Sequence, residues 1–248
     1  MSNFEVKSQG DLIDYLGPDG PGVAKFSNIL SHETKNQLLE EMGDASRVHW
    51  WDAGESYVNT RNIKIIQNHD VFALKLSAGD QEPVDRVPAM KKLANGTERF
   101  IRSLSNVFPS LVDWSADEMS YHRYYDSEIG LSYHRDNARF IGLIAVVSVL
   151  GEADSRVVDR QPISKKFDSE LNQAVVDCWQ VKDEYVIPTS PGDVVLTRAT
   201  NLYDGMVAID RPEHAVVDAR VLPRVSFMLR ANSKSTDEGY GFTYYNWP

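Results

Sequence analysis

The run Arg224-Val225-Ser226-Phe227-Met228-Leu229-Arg230 constrains the fold of this chain more than any other segment. Read as a strand, it places Val225, Phe227 and Leu229 on one face and Arg224, Ser226, Met228 and Arg230 on the other. One face is apolar and the other carries two guanidinium groups. If the apolar face packs beneath helices, the arginines point into the interior of a sandwich. An unpaired cation there is heavily penalised, and a bound carboxylate is its natural partner. The alternative is an edge strand with both arginines in water.

The rest of the chain supplies layers for such a sandwich. Residues 11–16 read as a short helix, and 23–26 as a strand after the turn-rich Gly17-Pro18-Asp19-Gly20-Pro21-Gly22. Ser31 caps a helix reaching residue 42, with Leu38, Leu39 and Met42 inward. A second helix starts at Pro88 and carries Met90, Leu93, Thr97, Phe100, Ile101, Leu104 and Phe108 at helical spacing. From residue 117 onward short β-rich runs dominate: 119–125, 140–150, 185–187, 193–197, 214–217 and 224–229. Helices first and strands after predict an α+β, mainly β architecture with helices on one sheet. The polar segment 154–183 reads as an insertion with a helix-like stretch around 167–179, either a cover for the site or a passive excursion.

We expect one domain over 1–248: a support region (1–116), a core (117–232) and a tail (233–248). A hydrophobic share of 42% among 248 residues is enough for a core of that size. Cys178 is the one cysteine, which excludes a disulfide framework and a thiolate metal site, and it is expected to be buried. No apolar run reaches membrane-spanning length and no signal pattern opens the chain, so a cytoplasmic location without a membrane partner is expected. A net charge of −10 weighs against nucleic acid as a partner. The oligomeric state has no signature.

The chemistry concentrates in His134-Arg135-Asp136 and the distant His214. Two imidazoles and a carboxylate on three corners of an octahedron leave the opposite face open, an arrangement suited to ferrous iron and a co-substrate. In the run 119–125, Tyr121, Arg123 and Tyr125 share one face, and His122 and Tyr124 share the other. Tyr125 stands nine residues before His134, which leaves room for a turn between two strands and for a phenol to reach a co-substrate. His122 reads as structural, and His32, His49 and His69 as surface or packing residues.

Arg123-Tyr124-Tyr125, Leu131-Ser132-Tyr133-His134-Arg135-Asp136, His214 and 224–230 together resemble the iron(II)/2-oxoglutarate-dependent oxygenase superfamily. Locally they are most similar to its AlkB-like branch, where Asn-x-Tyr leads into Leu-Ser-x-His-x-Asp, then a distal His and Arg-x-Asn-x-x-x-Arg. The resemblance covers 117–232 and implies a double-stranded β-helix, the jelly-roll or cupin-like sandwich. It implies iron(II) on His134, Asp136 and His214, with 2-oxoglutarate and O₂ as co-substrates. It implies that Arg224 grips the distal carboxylate with help from Tyr125 and Ser226, and that Arg230 is a second contact; Arg123 is a further candidate for the co-substrate site. Arg123 and Ser226 stand where the branch has Asn, and Arg-x-Ser is common among small-molecule hydroxylases. Asp136 favours hydroxylation over halogenation, since related halogenases carry Gly or Ala there.

The expected activity is oxidation of an unactivated C–H of a small molecule, such as an amino acid, with release of succinate and CO₂. The alternatives are an AlkB-like nucleic-acid demethylase and a non-catalytic binding sandwich. Candidate substrate contacts are Trp50, Tyr57 and Arg61 before the strand-like 63–66, and Tyr133, Arg135 and Arg139 around the metal motif.

Overall fold

Ser8 opens the first helix with a reciprocal cap: its Oγ accepts from the Asp11 amide, and the Asp11 carboxylate accepts from the Ser8 amide. In the computed structural model, which describes residues 4–52, 55–58, 63–66, 69–75, 84–125, 129–169, 173–207 and 210–232, this is helix α1 (Gln9–Leu16). Strand β1 (Val23–Phe26) and helix α2 (His32–Gly43), capped by Ser31, follow as the sequence predicts. Helix α3 (Pro88–Ser103) has Pro88 at its first turn and no cap from its own chain segment. Glu41 of α2 supplies one, accepting from the Ala89 and Met90 amides at 2.7 and 3.0 Å.

The strands are β2 (Trp51–Asp52), β3 (Glu55–Val58), β4 (Ile63–Ile66), β5 (His69–Lys75), β6 (Glu118–Tyr124), β7 (Ile129–His134), β8 (Leu143–Asp168), β9 (Gln173–Thr189), β10 (Val194–Arg198) and β11 (Glu213–Arg230). The main sheet runs β1-β10-β8-β11-β6-β5-β2, with β7 joined to β11 and β9 to β8 off that path. Strands β8 and β11 are long enough to serve two layers. Their second and first halves respectively (Glu152 to Val158 against Glu213 to Val221) carry β7 and β9 back over the main sheet. Register shifts around Val221 and Val225 mark the crossing. Gly151 sits there at φ 71°, where a Cβ would strike the Val221 and Pro223 carbonyls. The second layer closes on the first through Val157 and Ile187 packed against Val23 and Val195. Strands β3 and β4 form a separate hairpin.

The principal core lies between the helices and the outer face of the main sheet. Val225, Phe227 and Leu229 pack there with Leu38, Met90, Leu93 and Ile101. Each such side chain contributes roughly 1.5–3 kcal/mol by leaving water. This settles the orientation of β11: Arg224, Ser226, Met228 and Arg230 face the interior between the layers.

Two expectations fail. The segment 154–183 is not helical. It belongs to the β8–β9 ribbon, whose far part stands beyond β11 and exposes Ile163 and Phe167. Cys178 is exposed on that ribbon rather than buried. Among the described residues no helix is long and apolar enough to cross a membrane.

Candidate metal centre

His134 ends β7, Asp136 follows it, and His214 lies at the start of β11, where the register pairs His214 with His134. The ligand atoms of the three side chains all lie within 4.8 Å of one another. The two imidazole centroids are 4.4 Å apart, and His214 Nε2 is 3.3 Å from Asp136 Oδ2. Each ring is aimed by its own backbone. His134 Nδ1 meets the Ser132 carbonyl at 2.8 Å and His214 Nδ1 meets the Pro212 carbonyl at 3.4 Å. A carbonyl only accepts, so Nδ1 carries the hydrogen and Nε2 keeps its lone pair for the centre.

The electrostatics suit a cation. Burial pushes the His134 imidazole down to about 4, aided by His214, so the ring is neutral near pH 7. Burial alone would raise Asp136, but His214, Arg230, His134 and Arg211 together hold its carboxyl below the ordinary value. Arg211 also donates to the Asp136 carbonyl, and Arg135 Nε donates to the Arg211 carbonyl at 3.0 Å.

Farther along β11, Arg224 is 1% exposed, and none of its three guanidinium nitrogens has a hydrogen-bond partner among the described residues. Ser226 Oγ is likewise buried and unpartnered. The guanidinium carbon lies 5.0 Å from the Tyr124 ring centroid. The Tyr124 phenol is within electrostatic reach of Arg224 and Ser226 without aligned hydrogen bonds, and burial raises its pKa. A phenol cannot neutralise a guanidinium, so the cation is chemically unfinished within the protein. The guanidinium charges of Arg230 and Arg224 both act on His122, which places it between the two ends of the inner face of β11.

Several candidate residues stand elsewhere than the sequence suggests. Tyr125 is on the helix side of the sheet, 53% exposed, donating to Asp70 at 2.9 Å. Tyr124 takes the interior place, because β6 pairs it directly with Arg224. The Asn-x-Tyr pattern therefore falls on His122-Arg123-Tyr124, one residue earlier than the spacing indicates. Arg123 shares Tyr125's face, pairs with Asp70 at 2.8 Å and stacks 4.0 Å over Trp50. Trp50 packs on the principal core, so neither residue reaches the interior. Tyr133 alternates away from His134 and donates to Glu184 at 2.6 Å on the outer side of the second layer. Arg135 turns toward Glu213, at 3.8 Å. Arg230 faces inward but is paired with Glu118 at 2.8 Å, an acid it shares with Arg139 at 3.3 Å. Arg61 lies outside the described residues, and so does the side chain of Tyr57 on β3.

His122, read as structural, and His69, read as a surface or packing residue, both lie in the interior, a pairing the sequence reading did not make. His69 and His122 are hydrogen-bonded to each other beside Tyr124. Gly130 of β7 abuts the Cδ1–Cε1 edge of the Tyr124 ring, where any Cβ would collide with it.

No protein-family model and no curated protein matches the sequence. Among solved structures, the chain is similar to a prolyl hydroxylase from Trichoplax adhaerens in complex with a hypoxia inducible factor oxygen degradation domain peptide fragment. The TM-score is 0.53 at 13% identity, over 90% of this chain and 89% of that one. A Pseudomonas putida prolyl-4-hydroxylase gives 0.46 at 11% identity, over 91% of this chain and 97% of that one. The likeness to the Trichoplax protein shows the fold: mostly antiparallel β with a few helices, as in the prolyl hydroxylase jelly rolls. The likeness to the Trichoplax structure does not support the AlkB-like branch suggested by the local motifs.

Proposed function

We propose that this protein is an iron(II)/2-oxoglutarate-dependent dioxygenase that hydroxylates, or otherwise oxidises, an unactivated C–H bond of a small molecule and releases succinate and CO₂. The observation that carries this reading is Arg224, a buried guanidinium without a hydrogen-bond partner among the described residues, on the same strand as His214 of the His-Asp-His cluster. A dicarboxylate spanning the two satisfies both. Its keto acid end completes the metal's coordination, and its far carboxylate neutralises the fork through parallel hydrogen bonds.

His134, Asp136 and His214 would hold the iron. Bound there, iron supplies the redox chemistry that couples O₂ reduction to decarboxylation of the keto acid and oxidation of the substrate. The chain's own residues do the rest. The Ser132 and Pro212 carbonyls keep both imidazoles in the ligating tautomer. Burial keeps His134 unprotonated, and neighbouring cations keep Asp136 ionised. Arg224 orients the co-substrate, with Tyr124 and Ser226 as its polar neighbours. Arg139, 22% exposed and 4.9 Å from the Phe140 ring, stands at the rim beside Arg230 and is our candidate for a substrate carboxylate.

The test is succinate formation that requires both iron(II) and 2-oxoglutarate, measured across amino acids and other small acids. His134→Ala is expected to abolish it, and unchanged turnover would refute the metal assignment. Prolyl peptides form a second arm, because the similar Trichoplax enzyme holds a peptide. Stimulation by peptides alone would replace the small-molecule reading.

A further inference from the structure

The interior floor beside Arg224 contains a hydrogen-bond chain that the proposed chemistry does not itself use. On one cross-strand rung, β5, β6 and β11 bring His69, Tyr124 and Arg224 side by side. The His69 ring stacks on Tyr124, with centroids 4.8 Å apart and planes 29° from parallel. Arg224 lies on the other flank of Tyr124, so three flat groups stand in a row. His69 is held from two sides: its Nδ1 is 3.3 Å from the Gly130 carbonyl and its Nε2 is 2.9 Å from His122 Nδ1. His122 Nε2 in turn lies 2.9 Å from Ser120 Oγ.

The direction of the chain follows from its end. The Gly130 carbonyl only accepts, so His69 Nδ1 carries a hydrogen. The neutral ring then accepts at Nε2 from His122 Nδ1–H, and His122 Nε2 accepts from the Ser120 hydroxyl. With both imidazoles uncharged every donor in the chain meets an acceptor. A proton added at His69 Nε2 would reverse the His122 ring, which would then accept at Nδ1 and donate from Nε2 to the Ser120 hydroxyl. Burial selects the uncharged state, since His69 and His122 are 4% and 8% exposed.

We propose that the Ser120–His122–His69–Gly130 chain is a positioning device for the anion anchor. It locks His69 as a flat, neutral platform that holds the Tyr124 phenol toward the anion on Arg224. His69 and His122 are thus positioning residues that act through Tyr124. The inference rests on the reading of Arg224 as the 2-oxoglutarate anchor. Gly130 fits the same device: its backbone abuts one edge of the Tyr124 ring while its carbonyl terminates the chain.

The test uses the full chain loaded with Mn(II), titrated anaerobically with 2-oxoglutarate by calorimetry. His69→Ala is expected to weaken 2-oxoglutarate binding by about tenfold or more, leaving Mn(II) affinity within about twofold. Tyr124→Phe should give a similar loss, and the double variant should bind no more weakly than the weaker single one. Additive losses, or unchanged binding by folded His69→Ala, would overturn the inference. If His69→Ala does not fold, His69→Phe keeps the stacked ring and loses both hydrogen bonds. A weakening of about threefold or more then supports the chain, and unchanged binding overturns it. Failure of the unsubstituted chain to bind 2-oxoglutarate sinks the anchor reading and this inference together. Binding by that chain with an unaffected His69 variant sinks this inference alone.

Discussion

Arg224 and Arg230 share the inner face of β11 and meet opposite treatment. At one end Arg230 finds Glu118 at 2.8 Å, and Arg139 joins the same carboxylate. At the other end Arg224 is more deeply buried, with a phenol, a hydroxyl and neutral imidazoles around it and no acid bonded to it. Desolvating a guanidinium is costly in either place, yet the protein supplies a counter-charge in only one. The difference separates a cation that serves the scaffold from a cation that awaits a ligand.

Arg224→Met tests that contrast most severely. It should weaken 2-oxoglutarate binding by about 2–5 kcal/mol in calorimetry. In ligand-free protein the same change should raise Tm, because an unpaired buried charge gives way to an apolar chain, a gain of roughly 1–4 kcal/mol. A fall in Tm would mean that Arg224 already has a structural partner.

Acid should strike the Arg224 end through its histidines. Burial holds His69 down at about 4 in the fold, against 6.5 for the free side chain, and shifts His122 in the same direction. The unfolded chain therefore takes up protons that the native state refuses. Stability is fully present above pH 6.5 and is lost as pH falls toward 4, by about 3 kcal/mol for His69 alone. Urea unfolding at stepped pH measures this, and His69→Phe should flatten the profile. An equally steep profile in that variant would move the acid sensitivity elsewhere.

Gly130→Ala probes the contact at the edge of the Tyr124 ring. The added methyl must displace the ring or β7, at roughly 1–3 kcal/mol, and 2-oxoglutarate affinity should fall with stability. Stability lost at constant affinity would detach Gly130 from the anchor. Arg230→Met should give the smallest and reverse pattern to Arg224→Met. Tm falls, reflecting a loss of about 1.5 kcal/mol in stability, because Glu118 loses one of its partners. The 2-oxoglutarate Kd should change by less than about threefold. A larger change would make Arg230 a ligand contact after all.

Much of this was legible before any coordinates. Val225, Phe227 and Leu229 marked the apolar face of β11 while leaving open whether its other face meets the interior or water, and Ser31 and Pro88 marked helix starts, because each depends on local chemistry. The grouping of His134, Asp136 and His214 came from the resemblance of their neighbours to a known motif, since a His-x-Asp triplet alone recurs by chance. What stayed hidden depends on pairing between distant segments. Choosing Tyr124 over Tyr125 needed the β6–β11 register, since adjacent tyrosines differ only in face. His69 reads as an ordinary histidine until β5 sets it beside Tyr124. The 154–183 ribbon misled for another reason. Its far part has water on both sides, so burial imposes no alternation on it. Gly151 and Pro223 look like strand ends, although β8 and β11 pass straight through them.

One backbone, β11, carries both His214 and Arg224, and the bend between the layers falls between them. The span from metal corner to guanidinium is therefore gauged by a single covalent segment rather than by the docking of separate parts. On the proposed reading, such a gauge makes binding sensitive to the length of the keto diacid, which competition by the homologues one methylene shorter and longer would measure.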